Sequence, residues 1–344
     1  MFFDEVCRFL SLRSGFKIYD LSLHCCYTKS NASRFEQFIV SLGRLGIESL
    51  GLRPWIRAFY SDPFSFSCHL ISQMPTLKLL SLVRCSLASL KLTQSNNSLL
   101  QVLSLTRVTV ADGALECILS NCLSLHSLEF SDCALPSKLF IRGSNLQLKT
   151  FCIIGCWDME EIEFYASNLV TFEFKSPEVA NFLFDHVPKL QNIFLDLKYE
   201  NTMSYVCAKL VKDMPHLKYL IFSTEGDIYQ VCSRTMRINT FSNLRQLSLR
   251  LYAISSPDRV DLLLMTSFLE KCPLLQEFHL DCDFLKCDDG QKAKRPVAVI
   301  HSELKKVEIS GHSGTKNEME FALYILKSAI CLEQMHIKLV DILM

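Results

Sequence analysis

A six-residue pattern dominates the chain. Written L-x-x-L-x-L, with Ile, Val, Phe, Met or Tyr admitted at the apolar places, it begins at residues 18, 47, 77, 100, 125, 148, 169, 190, 217, 244, 275, 304 and 332, thirteen copies in 344 residues. Successive starts lie 21 to 31 residues apart. A supersecondary unit of this size cannot bury its own apolar face, so repeated units must stack and share one continuous core. Within each copy the fourth and sixth positions are two apart and lie on one face of a short strand. Between copies, stretches such as "ADGALECILSNCLS" and "VDLLLMTSFLEKCPL" space their apolar residues as a helix does, with Asp112 and Ser256 placed as N-terminal caps. Each unit therefore reads strand, loop, helix, return, with strands in one parallel sheet on a concave side and helices on a convex side.

Period and pattern match leucine-rich repeats, whose copies run about 20 to 29 residues. The expected fold class is an α/β leucine-rich-repeat solenoid, curved, with no Pro/Gly/Ser-rich break to mark a linker. Irregular spacing predicts local distortion, most of all around "SLASLKLTQSNN". The sixteen cysteines fit the same frame. Cys26, Cys85, Cys133 and Cys156 each fall three residues after the last apolar position of a copy, where leucine-rich repeats place Asn or Cys as the chain turns out of the strand. A small thiol suits a buried turn, so these residues are expected to be solvent-inaccessible and free of metal. Cys122 and Cys272 hold matching places in "SNCLSL" and "EKCPLL". No C-x-x-C occurs, Cys152 and Cys156 are four apart, Cys117 and Cys122 five apart, and Cys25 directly precedes Cys26, so the sequence predicts no metal site.

Function classes narrow in the same way. Lys plus Arg equal Asp plus Glu at 36 each, which favours neither nucleic acid nor an anionic membrane surface as partner. The N-terminal "MFFDEVCRFLSLRSG" carries Asp4 and Glu5 where a signal peptide needs an apolar stretch, and no apolar run is long enough for a membrane helix. The expected location is the cytoplasm and/or the nucleus, with reduced thiols. No GxGxxG or P-loop is present. "GHSGTKNE" lacks the spacing of a nucleophile elbow around Ser313, and reads instead as a turn followed by a helix capped by Thr315 or Asn317, with Glu318 or Glu320 in its first turn. "DCDFLKCDDG" places Gly290 wrongly for a calcium loop and reads as solvated. No acid, base and nucleophile set is brought together, so no catalytic residue, cofactor or metal ligand is assigned, and an enzyme is not expected.

Binding residues follow from strand parity. The third, fifth and seventh positions of each copy alternate away from the leucines and face solvent on the concave sheet. In two early copies these are Val102, Ser104 and Thr106, and Thr150, Cys152 and Ile154, a largely uncharged region. Later copies present Glu173, Lys175, Asp196, Arg250, Glu277, His279, Asp281, Lys306 and Glu308, then His336 and Lys338. Sign changes between neighbours suit a protein with complementary charges in a defined register. Arg250 is the expected anchor, since arginine is enriched at binding hot spots.

The segment "LLQVLSLTRVTVADGALECILSNCLSLHSLEFSDCAL" resembles the repeats of plant F-box/leucine-rich-repeat proteins, and "ELKKVEISGHSGTKNEMEFALYILKSAICLEQMHI" resembles the FBD region that closes many of them. With "SNLVTFEFKS" the likeness extends over nearly the whole chain. It implies a leucine-rich-repeat part over residues 1–302 and FBD-like repeats over 303–344, continuous with it. It also implies the substrate-recognition part of an SCF-type ubiquitin ligase, with a protein substrate as partner. The F-box that precedes a segment similar to "FFDEVCRFLSLRSGFKIYDLSLHCC" in that family has no counterpart among these residues, so docking of a Skp-type adaptor is not expected. The alternative is a free-standing leucine-rich-repeat interaction protein, or an inactive truncated product, without a ubiquitin role.

Overall fold

The repeats fold as stacked parallel strands in which each apolar position meets its equivalent in the next copy. The structure, a computed structural model, describes residues 18–26, 32–55, 64–88, 99–143, 145–176, 180–197, 205–225, 240–252, 262–282, 299–312 and 314–339, with isolated positions among the first twelve. Ser256, Ser313, residues 89–98 and the acidic loop from 283 to 290 lie outside the described residues, as do the side chains of Cys25 and Cys26. The chain divides into two units, residues 1–170 with 180–189, and residues 171–179 with 190–344.

In the first unit six strands run in sequence order: β1 Asp20–Cys26, β2 Ser49–Trp55, β3 Leu79–Val83, β4 Val102–Thr106, β5 Ser127–Ser131 and β6 Thr150–Ile154. Each is the L-x-L part of one copy, and consecutive copies pair in parallel. Leu50, Leu80, Leu103, Leu128 and Phe151 stand opposite one another along β2 to β6, all buried. Full burial of such a side chain contributes about 1.5–3 kcal/mol, and a one-residue slip would turn the whole row to solvent, so the leucine pattern sets the register. The second unit repeats this arrangement in seven strands: β7 Thr171–Ser176, β8 Asn192–Leu197, β9 Tyr219–Glu225, β10 Gln246–Tyr252, β11 Glu277–Asp281, β12 Lys306–His312 and β13 Gln334–Leu339. Its equivalent row is Phe172, Ile193, Leu220, Leu247, Phe278, Val307 and Met335. In both units one carbonyl before each strand accepts two N–H groups from the next copy, as when Gln101 O receives His126 N and Ser127 N at 2.8 and 3.0 Å, or Arg245 O receives Gln276 N and Glu277 N at the same distances.

Among the described residues some returns are helical, as expected for "VDLLLMTSFLEKCPL", where a 3-10 turn at Leu262–Met265 leads into a short helix at Thr266–Leu269, and others are not. In the first unit α1 (Ala32–Arg44) buries Phe35, Phe38, Ile39 and Leu42 on one face, and α2 (Ala114–Asn121) buries Leu115, Ile118 and Leu119. A short helix at His69–Ser72 buries Leu70 and Ile71, and the other described returns of this unit contain extended segments. Lys138–Arg142, Glu161–Tyr165 and Asn181–His186 form a second parallel sheet of three strands, and Phe64–Ser67, Cys85–Ala88 and Thr109–Val110 form another. The copies starting at 148, 169 and 190 are only 21 residues apart, too short for strand, two turns and a helix, and their returns alternate apolar residues with period two. Phe151, Phe164 and Phe184 fill the space behind this part of the sheet, with ring centroids 5.9 and 5.2 Å apart. In the second unit α3 (Lys316–Ser328) begins with the expected cap: Thr315 Oγ1 accepts Glu318 N at 3.4 Å, and Thr315 N donates to Glu318 Oε2 at 2.8 Å. The expected Asp112 cap is not formed. Gly113 is the N-cap of α2, in a left-handed conformation with φ 74° and no side-chain cap, because the chain enters that helix through a turn only glycine adopts without strain.

The turn thiols sit where the pattern places them. Cys85, Cys133 and Cys156 are all buried, with Val108 in the equivalent place of the fourth copy. Directly before these four positions stand Arg84, Arg107, Asp132 and Gly155, every one at positive φ (52° to 65°). That geometry turns successive backbones so that their polar groups bond from copy to copy. Arg84 N donates to Thr106 O, Arg107 N to Ser131 O and Asp132 N to Ile154 O, at 2.8–2.9 Å. The thiols continue the ladder: Val108 N donates to Cys133 Sγ at 3.4 Å, Cys133 N to Cys156 Sγ at 3.3 Å, and Cys133 Sγ donates to Leu105 O at 3.2 Å. Cysteine is thus both filler and hydrogen-bonding partner for backbone groups that no water reaches.

Candidate protein-binding face

Alternation leaves one face of the strands in each unit without a covering layer among the described residues, and its side chains form rows across the strands. In the first unit Val102, Ser104, Thr106, Thr150, Cys152 and Ile154 all lie half-buried on this face and none is charged. In the second unit the middle row reads Glu173, Phe194, Ile221, Ser248, His279, Glu308 and His336. Beside it runs a row of Lys175, Asp196, Ser223, Arg250, Asp281 and Ser310.

The candidate residues fall into two groups. Glu173, Lys175, Asp196 and Arg250 surround a shallow depression of about 220 Å³, whose floor is formed by Phe174, Phe194, Leu195, Ile221 and Ser223. Lys175 Nζ lies 3.1 Å from Asp196 Oδ2, so these two charges satisfy each other. Among the described residues Arg250 has no ion-pair partner. Arg250 lines the depression together with Ser223, whereas its register neighbour on the other side, Asp281, does not.

Glu277, His279, Lys306 and Glu308 make the second group, a charge ladder along β11 to β13. Lys306 Nζ is 3.5 Å from Glu277 Oε1, and His279 bridges two carboxylates, Nδ1 to Glu308 at 3.4 Å and Nε2 to Glu277 at 3.9 Å. Glu308 also accepts from Lys338, and this hydrogen bond, with the charge of Lys338, holds its carboxyl below the ordinary carboxylate range. Asp281 and His336 stand on the same face outside these contacts. Exposed pairs of this kind contribute little to stability, so their value is in the pattern they display.

Parity arguments aimed at charges miss Phe194 and Ile221. The signal is present in the sequence: "LQNIFL" and "LKYLIF" carry a large apolar residue at the solvent-facing fifth position, where the other copies have Ser, Gly, Cys, Glu or His. Among the described residues no three His, Cys, Asp or Glu side chains come close enough to hold a metal ion, and no described helix is long and apolar enough to cross a membrane.

Parallel strands stacked copy upon copy on leucine ladders, with an open polar face and cysteine-bearing turns, define a leucine-rich-repeat protein. More narrowly, the chain belongs to the At1g61320/AtMIF1 leucine-rich-repeat domain family, whose model matches residues 10–342. No curated protein taken singly matches it.

Proposed function

We propose that the chain is a protein-binding module acting through the open sheet face of its second unit. The observation that supports this most is the depression around Phe194 and Ile221, an apolar centre within a charged rim that includes Arg250. Apolar core, polar rim and an arginine anchor are the composition of protein interfaces. Strands hold the side chains at fixed spacing, which suits a partner recognised by shape and charge register rather than a uniform polyanion. The finer reading is that the bound protein is a ubiquitination substrate, as the likeness to F-box/leucine-rich-repeat proteins implies, with no catalytic step performed by the chain itself. The 344 residues alone are then expected to leave a purified Skp-type adaptor unbound in a pull-down, and adaptor binding at micromolar affinity would contradict this. Proximity labelling in the source tissue, followed by charge reversal at Arg250 and Glu277 and at the helix-side residues Glu116 and Glu270, tests the assigned face. The Arg250 and Glu277 variants are expected to lose the partner, and loss confined to the Glu116 and Glu270 variants would move the site to the other side.

A further inference from the structure

The depression is too small for a cofactor or a drug-sized ligand, whose pockets span about 300–1,000 Å³. At about 220 Å³ it has room for one or two side chains of a partner. Its chemistry is specific. The half-buried Phe194 and Ile221 are neighbours in register on β8 and β9 and offer an apolar seat, while Arg250 on β10 stands one strand further and one row to the side. With strands about 4.8 Å apart and residues of one face about 6.8 Å apart along a strand, the Arg250 backbone is separated by roughly 8 Å from Ile221 and roughly 12 Å from Phe194, about 10 Å from the middle of the seat. An extended peptide places alternate side chains on one side about 6.8 Å apart, and the reach of arginine covers the remainder. Charge then selects the polar group. Lys175 and Asp196 neutralise each other at 3.1 Å, and the rim holds Lys175 and Arg250 against Glu173 and Asp196, for no net charge. Among the described residues the Arg250 guanidinium has no ion-pair partner, and a single carboxylate supplies one at the cost of one net negative charge. A phosphate dianion would meet two carboxylates with only one available cation, whereas phosphate sites gather several.

We infer that this depression binds a linear peptide segment of the partner that carries a large apolar side chain and, two residues away, a carboxylate, the apolar group seated on Phe194 and Ile221 and the carboxylate held by Arg250. This rests on the reading that the open face binds protein, and it adds the chemistry of what is bound. The test is selection of phage-displayed random peptides on the full chain, followed by fluorescence anisotropy with the enriched peptides. Enrichment of an apolar residue with Asp or Glu two positions away is expected. Arg250→Glu is expected to weaken those peptides roughly 10- to 100-fold, the range for a charge-assisted hydrogen bond, and to recover binding when their acidic residue is replaced by Lys. That recovery cannot come from a misfolded variant. Phe194→Ser is expected to weaken both peptide classes. Equal binding to wild type and Arg250→Glu, no enrichment at all, or tenfold tighter binding when phosphoserine replaces the acidic residue would each overturn the inference. If a partner found by proximity labelling still depends on Arg250 and Glu277 in those cases, the protein-binding reading stands and only the peptide chemistry falls.

Discussion

Replacing Cys133 separates two roles that a buried thiol can play. In the native turn its Sγ accepts Val108 N–H at 3.4 Å and donates to Leu105 O at 3.2 Å. Cys133→Ala removes both contacts and leaves a buried N–H without a partner, at a cost of about 1–3 kcal/mol. The lost packing, comparable to a methylene, adds about 0.8 kcal/mol, so the total is about 2–4 kcal/mol. Cys133→Ser keeps a donor and an acceptor and is expected to cost about 1–2 kcal/mol for a shorter, looser contact. Cys85 supplies the control. It is equally buried, and among the described residues its Sγ has no hydrogen bond. There Ala costs about 1 kcal/mol, while Ser adds the burial of an unpaired hydroxyl, about 1–3 kcal/mol more. The order of the two variants is therefore expected to reverse, Ser milder at 133 and Ala milder at 85. Urea denaturation followed by far-UV circular dichroism reads this as midpoint shifts at unchanged slope. If Ala is milder than Ser at both positions, the thiol at 133 is apolar filler and the hydrogen-bond ladder carries no weight.

Three further outcomes follow from the same geometry. Burial pushes the Cys68 and Cys85 thiols up to about 12, so at pH 8 their thiolate fraction is about 10⁻⁴, and iodoacetamide is expected to modify exposed Cys331 while sparing both until denaturant is added; mass spectrometry showing Cys85 modified at the rate of Cys331 would contradict this. His301 is buried against Tyr324, and burial holds its imidazole below the ordinary value of 6.5. The unfolded chain takes up that proton first, so its contribution to stability is complete above about pH 6.5 and is lost as pH falls toward the folded value; His301→Phe is expected to flatten the stability curve between about pH 7 and 5, and an unchanged slope would refute the assignment. Gly155→Ala would place a Cβ 2.5 Å from Asp132 Oδ1 at φ +65°, whereas Gly46→Ala at φ +72° meets nothing within 4 Å. Left-handed strain of about 1–2 kcal/mol is common to both, so the excess loss in denaturation midpoint at 155 measures the cost of moving Asp132, and equal losses would show that Asp132 swings away freely.

Register was legible in advance because it follows from parity and from order of copies alone. Each of the strands β1 to β13 coincides with one L-x-x-L-x-L copy, and consecutive copies are neighbours within each unit. The return paths were less legible because helical and extended returns can both bury apolar residues behind a parallel sheet. Spacing decides between them: 25 residues separate the copies at 100 and 125 and leave room for α2, but 21 separate those at 148 and 169. The segments "KLFIR" and "EIEFY" then show strand alternation in plain view. The left-handed turn residues divide in the same way. Gly155 and Asp132 are types that adopt positive φ readily, but Arg84 and Arg107 are not, and they accept it because bonds to Thr106 O and Ser131 O compensate.

The open face illustrates a different limit. Parity names its residues, and the order of copies brings Lys175, Asp196 and Arg250 onto neighbouring strands, so their grouping follows from sequence. Side-chain direction does not. Arg250 stands in register between Ser223 and Asp281, and charge alone would turn it toward the carboxylate. Ser223 is small and 4% exposed, and it lines the depression together with Ile221 and Arg250, so a long side chain on that side covers apolar and weakly polar surface. The Coulomb attraction that an exposed Arg250–Asp281 pair would add amounts to no more than about 1 kcal/mol, so burial of the arginine stem on the Ser223 side is enough to offset it. The same weakness of surface ion pairs explains why the anchoring charge stays available: a guanidinium bound tightly to Asp281 would have to break that pair before it could hold a partner's carboxylate.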